Sequence, residues 1–287
     1  MTAVFKKELR GLLTSMIGYV FIAFLLVVSG IYVTAYQLQG AYPMFAYTLE
    51  GVLFVFLIGV PILTMRILAE ERHQKTDQLL FTAPITITQV VLGKYLALAA
   101  VFLIPVLVLS LYPLILSQFG TIYYPETYVA ILGFFLLGCS FLAIGLYISS
   151  ITESQVIAAV LTFLILFLCY VIQGIETFFP ETADGSFYML AVAAAVLAIS
   201  VYLMIGSTLI ALVTAVAAEG TLLVLYVINS SIFEGLIQKV LDVFDLTGHF
   251  NNFASGMLNV ADIVYYLSVI GIFLFLTVQS IQKRRWS

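Results

Sequence analysis

Eight apolar stretches separated by short polar breaks decide what this chain can become: 16–37, 48–69, 90–117, 126–149, 156–179, 187–205, 208–230 and 263–282. A helix rises about 1.5 Å per residue and the hydrocarbon core of a bilayer is about 30 Å thick, so each stretch has the length of one crossing. Lipid offers no partner to unpaired backbone groups, so the stretches are predicted as helices rather than strands. Residues 187–230 drawn as one helix would reach about 66 Å, twice that thickness, so the chain must turn back, with Gly206-Ser207 the natural place. The first stretch lacks a small-residue cleavage site and is too long for a signal-peptide core, so it counts as a span. Composition excludes a soluble fold. Of 287 residues 63% are hydrophobic and 9% are charged, against roughly 25% charged in a soluble domain.

Direction follows from Lys and Arg, which favour the cytoplasmic side of short loops. With the N-terminus in the cytoplasm, Lys6, Lys7, Arg10, Arg66, Arg72, Lys75, Lys94, Lys283, Arg284 and Arg285 all fall on or beside the inner side, and Lys239 alone falls outside. An odd number of spans would strand one basic terminus on the wrong side. Both termini are therefore expected in the cytoplasm. Residues 1–15 place Val4, Phe5, Leu9, Leu12 and Leu13 on one helical face and Lys6, Lys7 and Arg10 on the other, which suits an interfacial elbow helix. Residues 231–262 are read as extracytoplasmic amphipathic helices, one over Ile232 to Phe244 and a short second one from about Phe250 to Leu258. The outer segments carry Glu126, Glu181, Asp184, Glu234, Asp242, Asp245 and Asp262, a balance that favours cationic cargo but that inward sorting of Lys and Arg also produces.

Several chemistries are absent. No GxxxxGK[ST] phosphate loop occurs, and Gly93-Lys94 lacks both the earlier glycine and the following Ser or Thr. The two histidines, His73 and His249, fall on opposite sides of the membrane, so no metal site is expected. Cys139 and Cys169 lie in apolar runs and read as small buried hydrophobes. Neither a catalytic residue, nor a cofactor bound by this chain, nor a nucleic-acid partner is expected.

Between the second and third stretches lies a charged island, Glu-Glu-Arg-His-Gln-Lys-Thr-Asp-Gln at 70–78. Most charge runs are solvated loops. Here Glu70 and Glu71 open the segment, where a helix start favours negative charge. Leu79, Leu80 and Phe81 close it, and an idle loop has no reason to expose three large apolar side chains. Pro84 then breaks the segment before Thr86 and Thr88 start the next span.

These residues carry a resemblance. Leu68-Ala69-Glu70-Glu71-Arg72, Thr76-Asp77-Gln78-Leu79-Leu80, Ala83-Pro84-Ile85-Thr86 and Val91-Leu92-Gly93-Lys94-Tyr95 resemble the segment after span 2 of ABC-2-type transporter permeases, nearest to the gliding-motility-type branch. Gly145 with Ser149-Ser150-Ile151-Thr152-Glu153-Ser154-Gln155 resembles that family's link between spans 4 and 5. His249-Phe250, Phe253, Gly256, Asp262, Tyr265-Tyr266-Leu267-Ser268 and Arg284-Arg285-Trp286 resemble its C-terminal signature. The chain departs from the pattern at Lys75, where many relatives have Gly, at Gln78, where they have an acid, and in 187–230, an added hairpin beside a six-span core. The resemblance implies a cytoplasmic coupling helix over 70–88, in which Glu70, Glu71, Arg72, Lys75, Asp77, Leu79 and Leu80 dock an ATP-binding subunit that holds ATP and Mg. It further implies a second permease chain, identical or paralogous, and an outer gate that includes Phe250, Phe253 and Gly256.

Inside the bilayer, Glu219 stands near the middle of the seventh stretch. An acid at that depth costs roughly 2.5–3.5 kcal/mol on insertion scales if treated like Asp, so it is either a functional acid or one hydrogen-bonded within a helix seam. Gly138, Gly145 and Ser149 share one face of the fourth stretch and suit close helix packing. Pro61, Pro105 and Pro113 are kink positions.

The expectation is an all-α polytopic membrane protein, a single transmembrane domain over 1–287 with about eight helices, in a bacterial cytoplasmic membrane. Its expected role is the permease subunit of an ATP-driven exporter, itself not an enzyme. The alternatives are a membrane assembly or anchoring component without its own cargo, and a secondary transporter. The latter normally shows repeat symmetry and more midplane polar residues than this chain has.

Overall fold

Helix α1 (Thr2–Thr14) exposes Lys6, Lys7 and Arg10 and turns Phe5, Leu9, Leu12 and Leu13 onto the core. Its apolar face meets protein: a Cβ on Gly93 would stand 3.1 Å from Val4. Ser15 separates it from α2 (Met16–Val33), whose start Ser15 caps through a 3.4 Å bond accepted from the Gly18 amide. A π-turn over Thr34–Gln39 lengthens α2 before the chain reverses. In this computed structural model residues 1–42, 44–75, 85–205 and 208–286 are described, with the side chains of 197–205, 208–211, 214, 218 and 284–286 left aside.

The remaining helices are α3 (Ala46–Thr64), α4 (Ala69–His73), α5 (Ile87–Leu109), α6 (Tyr112–Leu116), α7 (Tyr124–Ile151), α8 (Gln155–Glu176), α9 (Ala183–Ile205), α10 (Thr208–Ile228), α11 (Leu236–Asp242), α12 (Leu246–Ala254) and α13 (Val260–Trp286). Thr86 caps α5 by accepting from the Gln89 amide at 3.3 Å. Pro61 and Pro105 lie inside α3 and α5, while Pro113 stands at the start of α6, where a missing N–H costs little. Every described element is helical, as lipid requires.

Six helices or helix pairs are long and apolar enough to cross a membrane: Met16–Gln39, Ala46–His73, Ile87–Leu116, Tyr124–Ile151, Gln155–Glu176 and Val260–Lys283. They correspond to six of the eight expected spans. The expected pair at 187–205 and 208–230 takes the form of α9 and α10, which pack against each other. It adds at most one further span, and only if the bent pair Ala215–Ile228 and Ser230–Asp242, at 117°, is one crossing. The expected count of eight is therefore not reached among the described residues.

The chain divides into two compact units, Met1–Tyr170 with Leu246–Ser287, and Val171–Asp245. In the first, α7 is the axle, packed against α3, α4, α5, α12 and α13. Small residues permit this. A Cβ on Gly133 would stand 2.4 Å from Phe253, one on Gly138 2.2 Å from Phe102, and one on Gly145 2.4 Å from Thr64 Oγ1. Rings fill the space the glycines leave: Phe56 stacks on Phe102 at 4.9 Å and lies 6.0 Å from Phe141. Helix α5 runs antiparallel to α7, with Tyr128 bonding the Ser110 carbonyl and Phe102 beside Gly138. Helix α13 runs parallel to it, through Ser140 to Tyr266 and Tyr147 to Phe273. The unit therefore gathers α1, α4, the start of α5 and the ends of α7 and α13 at one basic end.

In the second unit, Phe187, Tyr226 and Phe233 form an aromatic knot with centroids 4.7–6.1 Å apart, and Tyr226 bonds Asp184. The expected amphipathic helix over 232–244 is interrupted. A 3-10 turn at Ser230–Phe233 ends before Gly235, whose φ of +63° is a left-handed conformation open to glycine, and α11 starts there.

Candidate functional site

At the basic end, span two is broken. Helix α3 stops at Thr64, a turn follows, and α4 restarts at Ala69. A helix start leaves amide groups without partners. The buried Ser149 hydroxyl at the end of α7 serves both sides of the break. It accepts from the Leu68 and Ala69 amides at 3.2 and 3.1 Å and donates to the Met65 carbonyl at 3.2 Å. That is a full valence for one hydroxyl.

One turn on, Glu71 meets Lys94 at 2.8 Å. Lys94 is 1% exposed, and its ammonium also donates to Glu8 and to the Ile67 carbonyl, both at 3.1 Å. Three donors meet three acceptors from α1, α4 and the turn. Lys7 lies 3.5 Å from Glu8 and 3.7 Å from Glu71, so two cations face two carboxylates. Taking an ammonium out of water costs several kcal/mol, which only close pairing of this kind offsets. Arg72 reaches the other way and donates to the Ser150 carbonyl at the C-terminus of α7 at 2.8 Å, where a cation also suits the helix dipole. Its contact with Glu153 at 3.3 Å is solvated and contributes little. Glu70 pairs with Arg66 and accepts from Gln74 at 3.1 Å.

Among the seven expected docking residues, Glu71 and Arg72 thus turn into the chain. Lys75 is exposed. Its φ of +56° is the left-handed conformation that commonly ends a helix and that glycine adopts without strain. That gives a physical reason for the Gly expected at this position in relatives. Asp77, Leu79 and Leu80 lie outside the described residues. His73, Glu153, Ser154, Gln155 and Val156 line an open groove of about 410 Å³ beside α4. Lys7, Glu8, Leu12, Leu63, Arg66 and Glu70 help to line a cavity of about 540 Å³ between α1 and the end of α3. Sequence reasoning missed Glu8 and the charge role of Lys94, and it read Ser149 as a packing position and not as the partner of the broken span. The signal was present for Lys94: a lysine eight residues into an apolar helix has to find carboxylates.

At the opposite end, Phe250 and Phe253 are fully buried, the first edge-on to Phe134 and the second against Gly133 and Tyr266. Gly256, at φ +75°, closes α12 so tightly on Glu126 that a Cβ would lie 2.7 Å from its Cγ. The buried Asp262 holds α12 in place, with His249 Nδ1 at 2.6 Å and Asn252 Nδ2 at 2.8 Å. Glu219 stands midway along α10 with its side chain exposed. No group of His, Cys, Asp and Glu suited to a metal ion occurs among the described residues.

No curated protein matches the chain. A family described as ABC-2 family transporter protein matches residues 4–214, which takes in α1, the broken span, the Lys94 joint, all of α7 and α8, and α9. By this match, and with its apolar helices, the chain belongs to the ABC-2 transporter family, as a multi-pass permease component of an ABC transporter.

Proposed function

We propose that this chain is the permease of an ATP-driven exporter in a bacterial cytoplasmic membrane, nearest to the gliding-motility-type branch, with both termini in the cytoplasm. Two permease chains, identical or paralogous, pair in the membrane, and two ATP-binding subunits carrying ATP and Mg seat against the segment that begins at Glu70. Lys75 and the groove beside His73 face that partner, with Asp77, Leu79 and Leu80 completing the docking surface. Closure of the ATPases pushes the segment. The observation that carries this reading is the buried Lys94 joint: a displacement of α4 is passed at once to α1 through Glu8, to α5 through Lys94, and to α7 through Arg72 and Ser149. Glu219 is retained as a functional acid of the membrane path, and α12, with Phe250, Phe253 and Gly256, as an outer gate that opens only by lifting from α7.

The test separates docking from transmission. Lys75→Glu, at an exposed position, is expected to weaken co-purification of the ATP-binding subunit by about tenfold. Glu71→Gln keeps the docking face and is expected to leave co-purification intact while stimulated ATP hydrolysis falls. Unchanged docking and unchanged hydrolysis in both variants would sink the proposal.

A further inference from the structure

The far end of α3 carries an acid without a partner among the described residues. Glu50 stands four residues into the helix, about 6 Å below its start. It is partly exposed, and among the described residues no Lys, Arg or His pairs with it and no hydrogen bond reaches it. A carboxylate within a membrane span normally has a partner, because leaving it bare in an apolar medium is costly.

What surrounds it is aromatic. Tyr47 and Phe54, about one turn either side on the same face of α3, are 42% and 46% exposed. They lie about 10 Å apart along the helix with Glu50 between them. Tyr42 and Tyr36 close on Tyr47 at 5.6 and 6.5 Å and on each other at 6.1 Å. Tyr170 of α8 meets Phe54 at 6.0 Å. Tyrosines at a lipid interface ordinarily form a spread belt. Here the Tyr36, Tyr42 and Tyr47 rings gather on the N-terminal side of Glu50 along α3, and the Phe54 and Tyr170 rings on its C-terminal side.

Along the helix axis Tyr47 and Phe54 stand about 4.5 and 6 Å from Glu50, so a cation held at this carboxylate would have an exposed ring on either side of it along the helix, the setting of a cation–π contact. Hard metal ions need several oxygen ligands and find one carboxylate here. A weakly hydrated organic cation needs only the charge and the ring faces.

We propose that this face of α3, with Tyr47, Glu50 and Phe54 rimmed by Tyr36, Tyr42 and Tyr170, binds an organic cation of the quaternary ammonium or phosphonium class. The proposal deepens the permease reading and rests on it, because it names the class of cargo.

The experiment is equilibrium binding of labelled tetraphenylphosphonium to the purified full chain in nanodiscs, without the ATP-binding subunit. Saturable binding is expected. Glu50→Gln should weaken it at least tenfold, Tyr47→Leu about three- to tenfold, and Tyr47→Phe hardly at all, as a ring-face contact predicts. The uncharged triphenylphosphine oxide should bind far more weakly than the cation. Glu50→Asp, which keeps the charge, should still bind, and it serves if Glu50→Gln does not fold. Non-saturable uptake, equal binding by Glu50→Gln, or equal binding of the neutral analogue would each overturn the proposal. None of these outcomes touches the permease reading, which fails separately if no ATP-binding subunit co-purifies.

Discussion

Helices α7 and α8 follow one another across three residues and have nearly the same mean hydropathy, 2.5 and 2.6, yet 78% of the apolar window of α7 is buried and 17% of that of α8. Hydropathy decides that a helix enters a membrane. It does not decide what the helix meets there. That choice is made by small residues, because lipid is as apolar as Leu and helices associate through close backbone approach and hydrogen bonds. Gly133, Gly138, Ser140, Gly145 and Ser149 let five neighbours close on α7. On α8 only Ala158, Thr162 and Leu166 are buried, while Val156, Val160, Leu164 and Leu168 form an exposed stripe. One helix is the finished core of the chain; the other leaves an apolar stripe uncovered, where the proposed second permease would be tested first.

The sharpest way to break that contrast is to give both helices the same extra bulk. Gly138→Leu must displace Phe102 and is expected to cost about 3 kcal/mol, the upper part of the over-packing range. Gly174→Leu on α8 meets nothing within 4 Å and should stay within about 0.5 kcal/mol of the parent. Thermal unfolding in detergent reads both, and equal shifts would refute the division. A smaller effect is expected from Ser149→Ala, which leaves buried amides at Leu68 and Ala69 unpaired: about 1–3 kcal/mol in the same assay. Smallest in stability is the double change Val160→Ala with Leu164→Ala. It should shift unfolding by less than about 0.5 kcal/mol per site while reducing the dimer fraction seen by light scattering. A large loss of stability with an unchanged dimer would show that the stripe belongs to the core after all.

The class of fold was legible because length and apolarity are one-dimensional properties. Six crossings, the short helix at 2–14 and its two faces can be read directly off the residues. The helix seam at Gly138, Gly145 and Ser149 was legible too, as a spacing. The partners were not. Nothing in the run Glu70-Glu71-Arg72 says that the second acid turns to a lysine 23 positions later while the arginine turns to a carbonyl 78 positions later; both depend on where α5 and α7 pass in space. Phe250 and Phe253 read as amphipathic surface, yet Gly133 opens the space on α7 in which Phe253 is buried. The break after Thr64 left no signal, since no glycine or proline marks it; Pro61 lies within the helix before it.

That break has a mechanical corollary. Ser149 Oγ holds the end of α3 through one bond and the start of α4 through two, and all three converge on a single oxygen. Links that share one centre behave as a pivot: the lower segment can swing through a small angle by bending these bonds without breaking any. A thrust arriving at α4 would then be spent on rotation about a fixed point instead of on unravelling the helix, and the stroke delivered to the membrane would be set by lever length, which is a property of geometry and not of binding strength.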